Sequence, residues 1–232
     1  MASARGDERK RPVRSQAERR APLTRDRVLH AAVALADEGG IEALTMRRLG
    51  EELDVGPMAL YRHVRNKEDL VDGMVDLVFE EIGLPWVGPD WRQAMRQRAI
   101  SVREVLARHR WAVGLMESRH NPGPANLRHH DAVIGCLRAA GFDIGMVAHA
   151  YSLLDSYVYG FATTQMNLPF ESADEVAEVA QSMLRPFPVA EFPHLTEMLT
   201  DHVMRPSYDY GLEFEYGLDV ILDGLERARD TA

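Results

Sequence analysis

The side chains best placed to do chemistry lie in residues 45–67, which read TMRRLGEELDVGPMALYRHVRNK. The chemistry they offer is hydrogen bonding to a polyanion. Thr45, Arg47, Tyr61, Arg62, His63 and Lys67 are donors, interleaved with Leu49, Leu53, Val55, Leu60 and Val64 at helical spacing. Asp54-Val55-Gly56-Pro57 breaks the segment into two short helices around a tight turn, the spacing of a helix-turn-helix. The apolar positions face each other and an earlier helix, so the rest of the second helix projects outward. Its first residues, Pro57, Met58, Ala59 and Tyr61, then meet base edges in a major groove, with Met58 and Ala59 against thymine methyls. Arg47 is suited to a bidentate pair with guanine. Thr45, Tyr61, Arg62, His63 and Lys67 surround that helix as phosphate donors, and Asn66-Lys67 opens a further helix whose first N–H groups form an anion site. The plain alternative is a three-helix packing unit whose polar face meets only water.

Other candidate chemistry carries less. Arg128-His129-His130-Asp131 looks like a fragment of an acyltransferase or metal motif. Helical neighbours diverge by about 100°, so these are read as surface histidines. His149 is read as a core residue. Asp155, among Leu153, Leu154 and Tyr157, needs a partner, either across a dimer or on a polar ligand group. The sequence holds no phosphate-binding glycine loop, nucleophile elbow, zinc-type cysteine pair or HExxH. No catalytic residue, metal or cofactor is therefore expected, and the chain is not read as an enzyme.

These residues must be positioned by helices. Val28, Ala31, Ala32 and Leu35 mark a first helix from Thr24, a plausible N-cap, to Gly39-Gly40. The second spans 45–53, the third runs from Pro57 to about Val64, and Asn66 caps a fourth carrying Leu70, Met74, Leu77 and Val78. Further helical segments are expected near 90–109, 111–118, 124–140, 143–166, 172–184, 190–204 and 207–229. Gly141 closes one and Asp143 opens the next, and Ser172 with Glu175 makes a capping box. The reading is all-α: a basic disordered arm over 1–22, a helix-turn-helix domain over 23–66 and a larger helical body over 67–232.

The formal charge of −9 over 232 residues argues against nucleic acid until it is divided. Residues 1–67 hold 14 Lys+Arg against 10 Asp+Glu, and the remainder holds 13 against 26. A basic module on an acidic body suits a polyanion-binding protein. A single cysteine, Cys136, excludes an intramolecular disulfide framework. With no apolar run of signal-peptide or membrane-span kind, a cytoplasmic location and no membrane partner are expected.

From about Thr24 to Phe79 the chain resembles the tetracycline-repressor (TetR) family of bacterial transcriptional regulators. The resemblance is densest in Leu60-Tyr61-Arg62-His63-Val64 with Asn66, Lys67 and Leu70, preceded by Ala43-Leu44-Thr45 and Leu49. It implies an operator-binding domain on a ligand-binding and dimerisation body, with base-reading positions at Arg47, Pro57, Met58 and Tyr61. Backbone-contacting positions fall on Thr45, Arg62, His63 and Lys67. Gly56-Pro57-Met58 departs from the commoner family turn, so no operator sequence transfers. Arg19, Arg20 and Arg25 are expected to extend the contact along phosphate or into the minor groove.

The body beyond Glu80 resembles the tetracycline repressor's own C-terminal domain. Val147, Leu154 and Val158 on one helix and Phe214, Leu218, Ile221 and Leu225 on the last are expected to build a four-helix homodimer interface, with Gly160, Gly217 and Gly224 allowing close approach. Trp111, Leu115, Met116, His120, Tyr151, Asp155, Tyr157, Phe161 and Met166 are expected to line a pocket for an unidentified small-molecule effector. The function these expectations imply is a ligand-responsive regulator, read as a repressor, that binds a palindromic operator as a dimer. The rival is an all-α enzyme or small-molecule binding protein whose N-terminal unit is only structural.

Overall fold

A computed structural model describes residues 22–170, 173–184, 188–205 and 208–231, and no strand occurs among them. The basic arm through residue 21, Ser172 of the expected capping box and residues 185–187 lie outside the described residues. The helices are α1 Arg25–Gly39, α2 Met46–Leu53, α3 Pro57–Leu60, α4 Lys67–Glu81, α5 Trp91–Arg108, α6 Pro124–Ala139, α7 Ile144–Met166, α8 Ala173–Leu184, α9 Pro193–Met198 and α10 Tyr210–Thr231. The chain divides into two compact units after Met74, inside α4.

Local chemistry sets the helix starts. Thr24 Oγ1 accepts the N–H of Arg27, Thr45 Oγ1 that of Arg48, Asp90 that of Gln93 and Asp143 that of Met146. Each satisfies a donor that the first turn leaves unpaired. Asn66 Oδ1 caps α4 through the N–H of Asp69 at 2.8 Å. Pro57 and Pro124 stand at first helical positions, where the missing N–H costs nothing. Gly141, at φ +91°, ends α6.

In the first unit, Val28, Ala32 and Leu35 of α1 pack with Leu49, Leu53, Leu60, Val64 and Leu70, all essentially buried. The regular part of α3 is shorter than expected, because after Leu60 the backbone continues as turns, with the N–H groups of His63 and Val64 both reaching Leu60 O. Asp54, not Gly56, takes the left-handed conformation that ends α2 (φ +58°). The glycine the motif requires is Gly50: a Cβ there would stand 2.7 Å from Val55 O, so only glycine lets α2 approach the turn that leads into α3.

In the second unit, α7 packs against α5, α6 and α10. Trp91 and Phe142 meet edge to face at 4.8 Å, and the guanidinium of Arg229 covers both rings. Arg92 and Arg96 of α5 each pair with two carboxylates of α10: Asp223 and Glu226, and Glu215 and Asp219. The second half of α4 is tied to this body. Asp76 Oδ1 accepts the N–H of Asn126 at 2.9 Å, and Glu81 meets Arg108 at 2.8 Å and His109 at 3.1 Å.

The faces expected to form a dimer interface belong to this core. Val147, Leu154, Val158, Phe214, Leu218 and Leu225 are at most 5% exposed within one subunit, since α5 and α6 leave no other place for the inner stripes of α7 and α10. Ile221 is half-buried. Gly217 serves the core too: it makes room for Tyr157, whose hydroxyl donates to Glu213 O and Phe214 O at 3.1 and 3.0 Å. The apolar residues left outside are Ile144 and Leu153 on α7 and Leu212, Tyr216 and Val220, spaced by four, on α10.

Candidate nucleic-acid interface and ligand cavity

The packing of α1, α2 and α3 turns one polar face outward. Met58 is 77% exposed and Tyr61 44%, an unusual exposure for side chains of their size beside an intact core. Pro57 and Arg62 are also exposed, and Ala59 is half-buried beside them. Arg47 projects from α2, its side chain 83% exposed and only 3.8 Å from Glu51, a surface pair too weak to hold it from a base. Thr45 accepts at its cap and keeps its hydroxyl proton to donate. Lys67 is exposed at the start of α4, and His63 is half-buried. Of the expected base-reading and phosphate-contacting residues, Thr45, Arg47, Pro57, Met58, Tyr61, Arg62 and Lys67 are exposed and Ala59 and His63 are half-buried.

Behind this face lies a clamp the sequence reading missed. Asp69 is 9% exposed and gathers Arg25 Nη1 and Nη2 at 3.0 and 3.2 Å, the Arg65 N–H at 2.8 Å and Arg65 Nη2 at 3.2 Å. Arg25 Nη1 also donates to His63 O at 2.8 Å. The hydrogen bonds from Arg25, with those from Arg65, hold the Asp69 carboxyl down at about 2 against the ordinary 3.8, outweighing its burial. The clamp pins the start of α1 to the segment that carries His63 and Lys67. Arg25, expected to extend the contact along the arm, is paired with Asp69 while its side chain stays 42% exposed. The signal in sequence was Asn66-Lys67-Glu68-Asp69, a cap with its acidic residue three positions on.

In the body, Asp155 finds its partner within the subunit. Arg98 Nη1 lies 2.6 Å from Asp155 Oδ1, and the two side chains are 1% and 8% exposed. Arg98 Nε donates to His129 Nε2 at 3.2 Å. His129 is fully buried, which corrects its reading as a surface residue. Its place on α6 faces Phe79 and Arg98, and burial, then the charge of Arg98, pushes it down to about 3. Neutral at physiological pH and accepting at Nε2, the ring carries its proton at Nδ1. His130 is half-buried and bonded to the hydroxyl of Tyr151. His149 is exposed, not in the core. Arg98 was legible after the fact: it continues the buried stripe Ala94, Met95, Ala99 and Val102 of α5. Among the described residues no group of three or more His, Cys, Asp or Glu is placed to hold a metal ion.

A cavity of about 350 Å³ opens between α5, the end of α7 and the start of α10. Leu106, Ala162, Met166 and Leu168 form its aliphatic wall, Phe170, Tyr208 and Tyr210 its aromatic one, and Arg103, Arg110 and Gln165 its polar edge. Of the residues expected to line a pocket, only Met166 takes part. Trp111 and Met116 are buried, Leu115, Tyr151 and Phe161 are half-buried, and His120 is exposed and not part of the cavity lining. Asp155 is committed to Arg98 and Tyr157 to α10. Tyr157 and Phe161 stand behind the wall, stacked on Phe214 and Tyr210.

A three-helix module with an exposed reading helix, followed by a helical body with a cavity of ligand size, defines a DNA-binding transcriptional regulator. Residues 28–74 match the bacterial regulatory proteins of the tetR family, and residues 84–229 match the tetracyclin repressor-like C-terminal domain. The chain belongs to the TetR family, whose members are transcriptional regulators and not enzymes. It is 37% identical to an HTH-type transcriptional regulator of Saccharopolyspora erythraea over 62% of this chain and 61% of that protein. It is 32% identical to the HTH-type transcriptional repressor DrrR1 of Streptomyces coeruleorubidus over 88% of this chain and 77% of that one. Among solved structures, the Streptomyces coelicolor TetR family protein ActR in complex with actinorhodin superposes with a TM-score of 0.75 at 30% identity, covering 90% of this chain and 97% of that one. No helix among the described residues is long and apolar enough to cross a membrane.

Proposed function

We propose that the protein is a repressor that binds a palindromic operator as a homodimer and releases it when a small molecule enters the body. The observation that carries the DNA reading is the outward face of α3, where Met58 and Tyr61 stand exposed between Arg47 and Arg62. Met58 and Ala59 read thymine methyls, Arg47 reads guanine, and Thr45, Tyr61, Arg62, His63 and Lys67 fix the register on phosphate. One such helix reads too few bases for specificity, so two copies bind half-sites roughly 34–36 Å apart. The surface for the second copy is the outer stripe of Leu212, Tyr216 and Val220 with Leu153. A Cβ at Gly160 or Gly224 would meet no atom within 4 Å, which leaves room for another helix there. Repression is favoured by the likeness to DrrR1, and small-molecule control by the likeness to ActR, which is known with actinorhodin bound. The route from the body to the module is α4. Asp76 and Glu81 couple its second half to α5 and α6, and an effector that favours one placement of those helices shifts the operator equilibrium by its differential affinity.

Selection of bound duplexes from a random pool, then titration of the winner at several salt concentrations, tests this reading. A two-fold symmetric consensus is expected. Lys67→Ala should reduce the salt slope by about one unit, and Tyr61→Ala should weaken binding with the protein still folded. Met58→Ala should alter the selected consensus more than the total affinity. Binding without sequence preference, lost at physiological salt, would overturn the assignment.

A further inference from the structure

The cavity between α5, α7 and α10 holds a cation, Arg103, that the fold orients and that no carboxylate among the described residues pairs. Arg103 Nε donates to Gln165 Oε1 at 3.0 Å and Nη1 to Gly211 O at 3.4 Å. The guanidinium carbon lies 5.2 and 4.9 Å from the ring centres of Phe161 and Phe214. No carboxylate among the described residues forms an ion pair with it, and its Nη2 makes no hydrogen bond among them. Asp209, the one acidic side chain of the wall among the described residues, accepts the N–H of Gly211 at 2.7 Å. A half-buried cation with no ion pair among the described residues is costly, and its approach to the two rings offsets only part of that cost. The second cation in the wall, Arg110, donates to Met166 O. The described wall thus carries two basic side chains, Arg103 and Arg110, against one acidic, Asp209.

The rest of the wall is flat and apolar. Tyr210 stacks on Phe161 at 4.9 Å, and Phe170, Tyr208, Leu106 and Met166 line the same cavity. Burial, and then Glu213, raises both tyrosines above the ordinary phenol range, so their hydroxyls remain donors at physiological pH. A volume of about 350 Å³ falls in the range of small-molecule sites.

We propose that this cavity binds a planar aromatic molecule bearing one anionic group, with the anion on Arg103 and the ring system between the aromatic and aliphatic walls. The proposal deepens the reading of the body as a small-molecule sensor and rests on that reading only for coupling to the operator. Charge-assisted hydrogen bonding to Arg103 selects the anion, and its hydrogen bonds to Gln165 Oε1 and Gly211 O hold the guanidinium in place in advance, so little entropy is lost on binding.

The test uses the full chain and a matched pair of fluorescent probes, 1-anilinonaphthalene-8-sulfonate and its uncharged counterpart N-phenyl-1-naphthylamine. The sulfonate probe is expected to saturate at one molecule per chain. Arg103→Gln should weaken it by about ten- to a hundred-fold while leaving the uncharged probe nearly unchanged. Ala107→Trp, at an exposed position of the wall, should fill the cavity and weaken both probes without a folding cost. Sulfonate binding unchanged in either variant, at an unchanged melting temperature, overturns the proposal. If Arg103→Gln does not fold, Ala107→Trp decides alone. Operator titration of the same proteins without probe separates the two levels. Normal operator binding with a cavity that ignores both probes removes this inference and leaves the regulator reading standing. A cavity that binds as described in a protein that selects no operator removes the regulator reading instead.

Discussion

Replacing Asp69 by asparagine tests whether the charge of one carboxylate holds the DNA-reading module together. The wild-type carboxyl is lowered from 3.8 to about 2, and at 1.36 kcal/mol per pKa unit this sets a ceiling of about 2.5 kcal/mol on its contribution. Asp69 is well covered, but its partners are not: the side chains of Arg25 and Arg65 are 42% and 81% exposed. Solvent screening brings the expected loss to about 1–1.5 kcal/mol at pH 7. The sign follows from linkage. A carboxyl whose folded pKa lies below its unfolded one stabilises above the unfolded value and loses that contribution as the pH falls through about 2. Urea unfolding of wild type and Asp69→Asn, at equal protein concentration from pH 7 downward, should show a gap that is constant to about pH 5 and closes below. His129, whose folded pKa is also lowered, destabilises both proteins alike on acidification and cancels in the difference. A gap that stays constant to pH 2.5, or no gap at pH 7, would refute the argument that the ionised carboxylate is what binds Arg25 and Arg65.

Three further outcomes follow from packing. Gly50→Ala brings a Cβ to 2.7 Å from Val55 O and should cost about 1–2 kcal/mol after the gain in helix propensity, read by thermal melting; an equally stable variant would show that the turn can yield. Asp155→Leu leaves Arg98 buried without its counter-charge and should cost about 3–5 kcal/mol, most of it recovered when Arg98→Met is added. A double variant no more stable than the single would disprove the pairing. Tyr216→Arg, at a position 71% exposed in the subunit, should shift sedimentation from dimer to monomer with helicity intact, whereas Leu218→Arg should unfold the body; an unaffected dimer would move the interface elsewhere.

The helix-turn-helix module was legible because its information is local. Thr24, Thr45 and Asn66 cap their own helices, Pro57 starts its own, and Leu49, Leu53 and Leu60 face inward through spacing alone. A helix-turn-helix is short enough that a periodic pattern also says which side chains remain outside, so Met58, Tyr61 and Lys67 emerged on the exposed face. Gly50 and Asp69 did not, because a 2.7 Å backbone approach and a carboxylate shared by Arg25 and Arg65 exist only once three helices have met.

The body divides differently. Periodicity identified Val147, Leu154, Val158, Phe214 and Leu218 as apolar stripes, but a stripe carries no label for its neighbour. The same pattern serves a subunit core or a dimer seam, and only the positions of α5 and α6 decided for the core. Asp155 announced by its surroundings that it needed a partner, and the tertiary structure chose Arg98, 57 residues away in sequence. The cavity was the least legible feature, since it is bounded by residues near 103, 165 and 210 that no local pattern connects. A helix and its caps are properties of a segment, whereas a counter-charge, a seam and an empty volume are properties of what the other segments leave around it.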